Sequence, residues 1–199
     1  QIDAQFTRDS IEIERGIPGT TDFEPYFKVI NEEFDDQNRP LTIVVYEYLT
    51  PTQLVPLQRQ TFQYEGDNTS DFLMEDWNST TEAWVPVKQE ISTYENDLLV
   101  SFLRKKAPSG TLVDERRWFY NYDETGNETE KTLQSWNENT ATWENLSRKR
   151  TTYTDEGNIS IQLVQRFQDG SWNNTRRRGW TWEPGDLQPS ITIAQRWSD

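Results

Sequence analysis

The segment Trp118-Phe119-Tyr120-Asn121-Tyr122-Asp123-Glu124-Thr125-Gly126-Asn127 runs an aromatic strand into an acidic turn, and the same event recurs along most of the chain. The aromatic residue just before each turn falls at Phe34, Tyr64, Tyr94, Tyr122, Tyr153 and Trp182, spaced 30, 30, 28, 31 and 29 residues apart. A large residue lies 9 to 11 positions upstream of each, at Phe23, Leu54, Trp84, Val113, Trp143 and Trp172. A third marker follows 13 to 15 positions downstream, at Tyr48, Trp77, Trp136, Phe167 and Trp197, with Lys106 in the one gap. Three markers holding phase over six copies define a tandem repeat.

Each copy reads as two strands. Alternation places Trp118, Tyr120 and Tyr122 on one face of the first. It aligns Ile159, Ile161, Leu163, Gln165 and Phe167 in one second strand, and Ile191, Ile193, Gln195 and Trp197 in another. The turns include Asp35-Asp36-Gln37-Asn38, Glu65-Gly66-Asp67-Asn68, Asp155-Glu156-Gly157-Asn158 and Glu183-Pro184-Gly185-Asp186. Their Gly, Asn and Asp residues tolerate positive φ and suit short hairpin loops. No helical periodicity competes, because Pro or Gly punctuates each segment.

A lone hairpin is marginal in water, so successive copies must stack. The expectation is an all-β fold: an antiparallel meander of about six tandem hairpin repeats of ~30 residues, coiled into an elongated sheet. A closed or folded-over barrel or sandwich is the alternative. Residues 1–22 form a non-repeat segment, a cap or donor strand, and 23–199 the repeat domain. Within the first, Ser10 to Arg15 alternates as a strand before Gly16-Ile17-Pro18-Gly19 breaks it.

Only 33% of the 199 residues are hydrophobic and mean hydropathy is −0.95, which leans towards disorder. Nine Trp and 13% aromatics oppose this, since each ring buries a large area. The core is therefore expected in the rings Phe34, Tyr64, Tyr94, Tyr122, Tyr153, Trp182, Trp77, Trp84, Trp136, Trp143, Trp172 and Trp197. Net charge −14 repels nucleic acid and anionic membranes, and no apolar run reaches the roughly 20 residues of a membrane span. Without Cys or His there is no disulfide, thiolate or Cys/His zinc chemistry. A start at Gln1 reads as a mature end left after signal-peptide removal, which places the chain outside the cell or on its surface.

The stretch Tyr120 to Asn127 resembles the YD-repeat motif, tyrosine-x-tyrosine-aspartate-x-x-glycine and a polar residue; Tyr153-Thr154-Asp155-Glu156-Gly157-Asn158 is a shortened version. True YD repeats are shorter than this period. Together with the connectors Trp77 to Trp84 and Trp136 to Trp143, residues 23–199 are similar to hairpin arrays in secreted proteins of Bacteroidota, often cargo of type IX secretion. That resemblance implies an exported surface protein whose C-terminal sorting domain is missing here. It also makes Asp9-Ser10-Ile11 a match to the phylum's O-glycosylation pattern, with Ser10 the acceptor.

Carboxylate neighbours Asp35/Asp36, Glu75/Asp76 and Asp155/Glu156 are the candidates for acid–base work. They recur with the repeat, whereas an active site is one asymmetric constellation, so no catalytic residue is expected. Acidic turns resemble calcium loops but lack the ligand spacing, so no metal or cofactor is expected. Exposed Trp and Tyr could stack on sugars, which keeps a glycan or cell-surface ligand open as the alternative to core packing. Basic runs Arg148-Lys149-Arg150 and Arg176-Arg177-Arg178 are read as cross-strand ion pairs. Sequons at Asn68, Asn78, Asn127, Asn145, Asn158 and Asn173 are read as turn chemistry. The last strand, with Ile191 and Ile193, has no cap, and the first, with Ile11 and Ile13, has no match. Head-to-tail self-association by strand addition follows, building a surface filament. The function read from the sequence is a non-enzymatic structural or adhesive protein.

Overall fold

A computed structural model describes residues 2–6, 9–182 and 189–197, with the backbone alone at 2–6, 191 and 192. The turn read at Glu183 to Asp186 lies outside the described residues. The strands are β1 (Ile2–Phe6), β2 (Ser10–Gly16), β3 (Phe23–Phe34), β4 (Pro40–Thr50), β5 (Gln53–Glu65), β6 (Asn68–Asn78) and β7 (Ala83–Glu95). They continue as β8 (Leu98–Lys106), β9 (Val113–Tyr122), β10 (Glu128–Asn137), β11 (Thr142–Tyr153), β12 (Ile159–Gln168), β13 (Ser171–Thr181) and β14 (Ser190–Arg196). Their order in the sheet is their order in the chain. β1 and β14 have one neighbour each, so the meander is open and the closed-barrel alternative falls away.

Two compact units divide the chain, residues 1–91 with 105–113, and 92–104 with 114–199. The boundary read at 22/23 lies between β2 and β3, which pair in register from Ser10↔Ile30 to Gly16↔Phe23. The N-terminal segment is thus a further hairpin, β1 on β2, laid against the repeats of its own chain.

Strand contacts run between sequence neighbours. Among the described residues Val44 alone is a buried hydrophobic, at 2% exposure, and all ten residues of β10 are half-buried. Side chains therefore cover one another along a sheet instead of filling a space between layers. Alternation survives in β9, where Trp118, Tyr120 and Tyr122 are half-buried while Phe119 and Asn121 are exposed.

The loops explain the acidic motif. Asp123 N–H donates to Asn127 O (3.0 Å) and Gly126 N–H to Asp123 O (3.0 Å), with Gly126 at φ +86°. The Asp123 carboxylate accepts from Thr125 N (3.0 Å), Thr125 Oγ1 (2.7 Å) and Asn127 N (2.9 Å). Thr154 to Asn158 and Asp35 to Arg39 repeat the backbone pattern, with Gly157 at φ +81° and Asn38 at +64°. The Asp of the motif is thus an internal loop clamp. Its hydrogen bonds, led by the Thr125 hydroxyl, hold its pKa down to about 2. The connecting loops use Asn instead: Asn78 Oδ1 accepts from Thr80 and Thr81, and Asn137 Oδ1 from Asn139 and Thr140.

Bulges also keep phase. Register shifts fall at Val45/Tyr46, Met74/Glu75, Leu133/Gln134 and Val164/Gln165, each two to three residues before the third marker. A second set lies opposite the turn aromatic, beside Phe34, Tyr64, Tyr122 and Tyr153.

Candidate functional site

Two repeated constellations occupy the sheet. The first is a latch between successive hairpins. Tyr64 Oη donates to Pro40 O (2.8 Å), Tyr122 Oη to Leu99 O (2.8 Å) and Tyr153 Oη to Glu128 O (2.9 Å). Trp182 Nε1 takes the same role towards Ile159 O (2.9 Å). Pro40, Glu128 and Ile159 are the residues registered opposite Phe34, Tyr122 and Tyr153 of the preceding hairpin. Each stands beside a register shift in its ladder, and its carbonyl accepts from the ring of the next hairpin. Burial raises the phenol pKa of Tyr64, Tyr122 and Tyr153, keeping the donors protonated.

The second is a polar and aromatic ladder. Trp77 meets Trp84 at 5.1 Å and 68°, Trp136 meets Trp143 at 5.3 Å and 64°, and Phe167 meets Trp172 at 5.1 Å and 67°. Each pair is directly opposed in register across the connecting loop. A guanidinium then covers the downstream ring: Arg59 over Trp84 (4.9 Å), Arg117 over Trp143 (4.4 Å) and Arg148 over Trp172 (4.5 Å). Each Arg stands five residues before a turn aromatic. Arg117 donates to Gln134 (2.5 Å), whose amide donates to Asn145 (2.8 Å). Arg148 donates to Gln165 (2.6 Å), which donates to Asn174 (2.8 Å). In the first unit Glu75 replaces the Gln and ion-pairs with Arg59 at 2.6 Å. Glu75 and Gln165, at 7% and 8% exposure, are two of the three buried polar residues described. Burial pulls the pKa of Arg117 and Arg148 below the ordinary arginine value.

The remaining predicted residues fall as follows. Phe34 and Tyr94 stand at the turn ends of β3 and β7. Trp197 follows β14, is 40% exposed, and its N–H donates to Thr175 O at 3.1 Å. Ile11 and Ile13 face Val29 and Phe27 in register, and Ile193 faces Gly179. The side chain of Ile191 lies outside the described residues. Ser10 is half-buried on β2, opposite Ile30. Of the carboxylate neighbours, Glu75 and Asp76 point to opposite faces of β6, Glu75 binding Arg59 while Asp76 accepts from Gln58, and Asp35/Asp36 and Asp155/Glu156 lie in loops.

The basic runs divide. Arg150 and Arg148 approach Glu130 at 2.7 and 3.8 Å, and Lys149 reaches Glu128 at 2.7 Å. Arg176, Arg177 and Arg178 have no ion pair among the described residues, contrary to the cross-strand pairing expected of them. Their neighbour across the ladder is β14, which contains no carboxylate, and Arg176 stands opposite Arg196.

A groove of 1050 Å³ lies between the loops at Asp123 and Thr154, walled by Asn121, Glu130, Arg150 and Thr152. Among the described residues no three carboxylates gather as they would around a metal ion.

These features define an open antiparallel meander of tandem hairpins, a β-repeat protein tied by ring-to-carbonyl latches. A model described as a family of unknown function (DUF3836) matches residues 92–178. Among solved structures, a DUF3836 family protein from Bacteroides vulgatus is similar at 22% identity and TM-score 0.38, over 44% of this chain and 90% of that one. A protein of unknown function from Bacteroides fragilis is similar at 14% and 0.45, over 64% of this chain and 92% of its own. A DUF3836 family protein from Parabacteroides distasonis follows at 15% and 0.33, over 54% and 87%. No curated protein matches the chain.

Proposed function

We propose that the chain is an exported, non-enzymatic β-repeat protein with a structural or adhesive role, which joins copy to copy by extending its sheet. The observation that supports this reading is the strand order, in which β1 and β14 each pair with a single strand among the described residues. Free edges are templates for strand addition, and proteins that stay monomeric normally block them. Fourteen strands is an even number, so an added β1 runs antiparallel to β14 and continues the alternation. Contacts of this head-to-tail type repeat without closing and generate filaments.

The alternative, a carbohydrate-binding module using exposed Trp and Tyr, has less support. Trp84, Trp143 and Trp172 are each engaged by a guanidinium and by a second ring, which leaves little free ring face for a sugar. Electron microscopy of the purified full chain tests the reading. Filaments or linear oligomers are expected, and uniform single particles at high concentration would overturn it.

A further inference from the structure

The ladder is complete at two places in the second unit and is cut off at a third. Arg148, registered opposite Gln165, is completed by Trp172 and Asn174 of the strand that follows. Arg177 and Gln195 occupy the same places in the last copy and are likewise registered opposite one another. Among the described residues β14 pairs with β13 alone, so no Trp or Asn of a further strand lies beside Arg177 there. Four arginines, Arg176, Arg177, Arg178 and Arg196, line a 300 Å³ groove at this edge, with Ala194 and Gln195. Among the described residues β13 and β14 carry four arginines and no carboxylate, in a chain of net charge −14. Like charges directly opposed across a ladder, as at Arg176 and Arg196, destabilise the pair unless something neutralises them.

The opposite edge has the complementary sign. β1 and β2 carry Asp3, Glu12 and Glu14 against Arg15, and Arg15 is already bound to Glu24 at 2.6 Å. We infer that the arginine edge of β13–β14 is a docking surface for the acidic β1–β2 edge of a second copy, added antiparallel to β14. The inference rests on the proposed head-to-tail assembly and names the side chains that select its partner. Backbone pairing supplies the join, and the charges set the direction, because two arginine edges or two acidic edges repel.

A charge-swap experiment on the full chain separates this inference from the broader reading. One variant carries Arg176→Glu, Arg178→Glu and Arg196→Glu; a second carries Asp3→Lys and Glu14→Lys. Circular dichroism and tryptophan emission confirm that each is folded. Sedimentation velocity of wild type should show concentration-dependent growth, with an apparent dissociation constant rising at least tenfold between 50 and roughly 500 mM NaCl. Each variant alone should sediment as a monomer, and an equimolar mixture should assemble again because its unlike edges match. Wild type that assembles while the variants assemble equally well, or a mixture that stays monomeric, overturns the charge-directed docking alone. Wild type that stays monomeric at every salt and concentration overturns both the docking and the proposed function. Where a variant fails to fold, the salt series on wild type decides: assembly unaffected by salt overturns the inference.

Discussion

Replacing Tyr153 by Phe removes one hydroxyl and leaves the ring. The hydroxyl donates at 2.9 Å to Glu128 O, a carbonyl beside the bulge opposite Tyr122. Burial raises the Tyr153 pKa, so the bond is sheltered from water, but the ring is half-buried and the sheltering is partial. A net intramolecular hydrogen bond contributes about 0.5–1.5 kcal/mol, and a stranded acceptor costs more only where water cannot reach it. The expected loss is therefore about 1 kcal/mol for Tyr153→Phe. Tyr122→Phe should cost the same, since its bond to Leu99 O has nearly the same length, 2.8 Å. The two hydroxyls donate to different carbonyls but both rings stand beside Glu128, so the double variant should lose about 2 kcal/mol less the coupling between the two sites. Urea denaturation followed by tryptophan emission measures this, because the midpoint falls while the slope is unchanged. Hydrogen exchange should localise the loss to β9–β12. A double variant within about 0.3 kcal/mol of wild type would refute the latch as a source of stability.

Three further outcomes follow from the geometry. Arg148→Met uncovers Trp172 and leaves Gln165 without its donor, so it should cost about 2–3 kcal/mol and shift tryptophan emission. Gly126→Ala should cost about 1–2 kcal/mol through backbone strain alone, because φ is +86° and a Cβ there meets nothing within 4 Å; a neutral result would refute the left-handed loop. Burial raises the Tyr64, Tyr122 and Tyr153 phenols above the ordinary tyrosine value of about 10, so their contribution is fully present below that pH and is lost as pH rises through the folded values. The wild type should lose stability on that alkaline side, and the Tyr→Phe variants should lose less, as followed by urea midpoint against pH.

The period, the strand pairing and the loop positions were legible because they depend on local chemistry. A ring followed by Asp, Gly and Asn suits one loop, and the loop sets the register on either side. The open sheet was expected over a barrel because the last strand showed no match to the first, and β1 and β14 have one neighbour each. The latch was not legible, since it joins Tyr153 to a carbonyl 25 residues away, beside a register shift at Glu128/Glu130. The ladder was hidden for a related reason. A shift at Leu133/Gln134 changes which residues of β11 lie beside β10, and simple alternation does not predict that Gln134 meets Asn145. A usable signal was nevertheless present: Arg59, Arg117, Arg148 and Arg177 each stand five residues before a turn aromatic. The expected ring core was only half the account, because arginine and amide groups fill the spaces that aliphatic side chains would fill elsewhere. Ion pairing of Arg176 to Arg178 failed for want of carboxylates on β14.

The account turns on β1 and β14 pairing between copies, and amide exchange at those two strands measures it most directly. As protein concentration is raised from about micromolar to millimolar, exchange at Ile2–Phe6 and Ser190–Arg196 should slow together while β9–β12 stays unchanged. Edge amides that exchange equally fast at every concentration would contradict it.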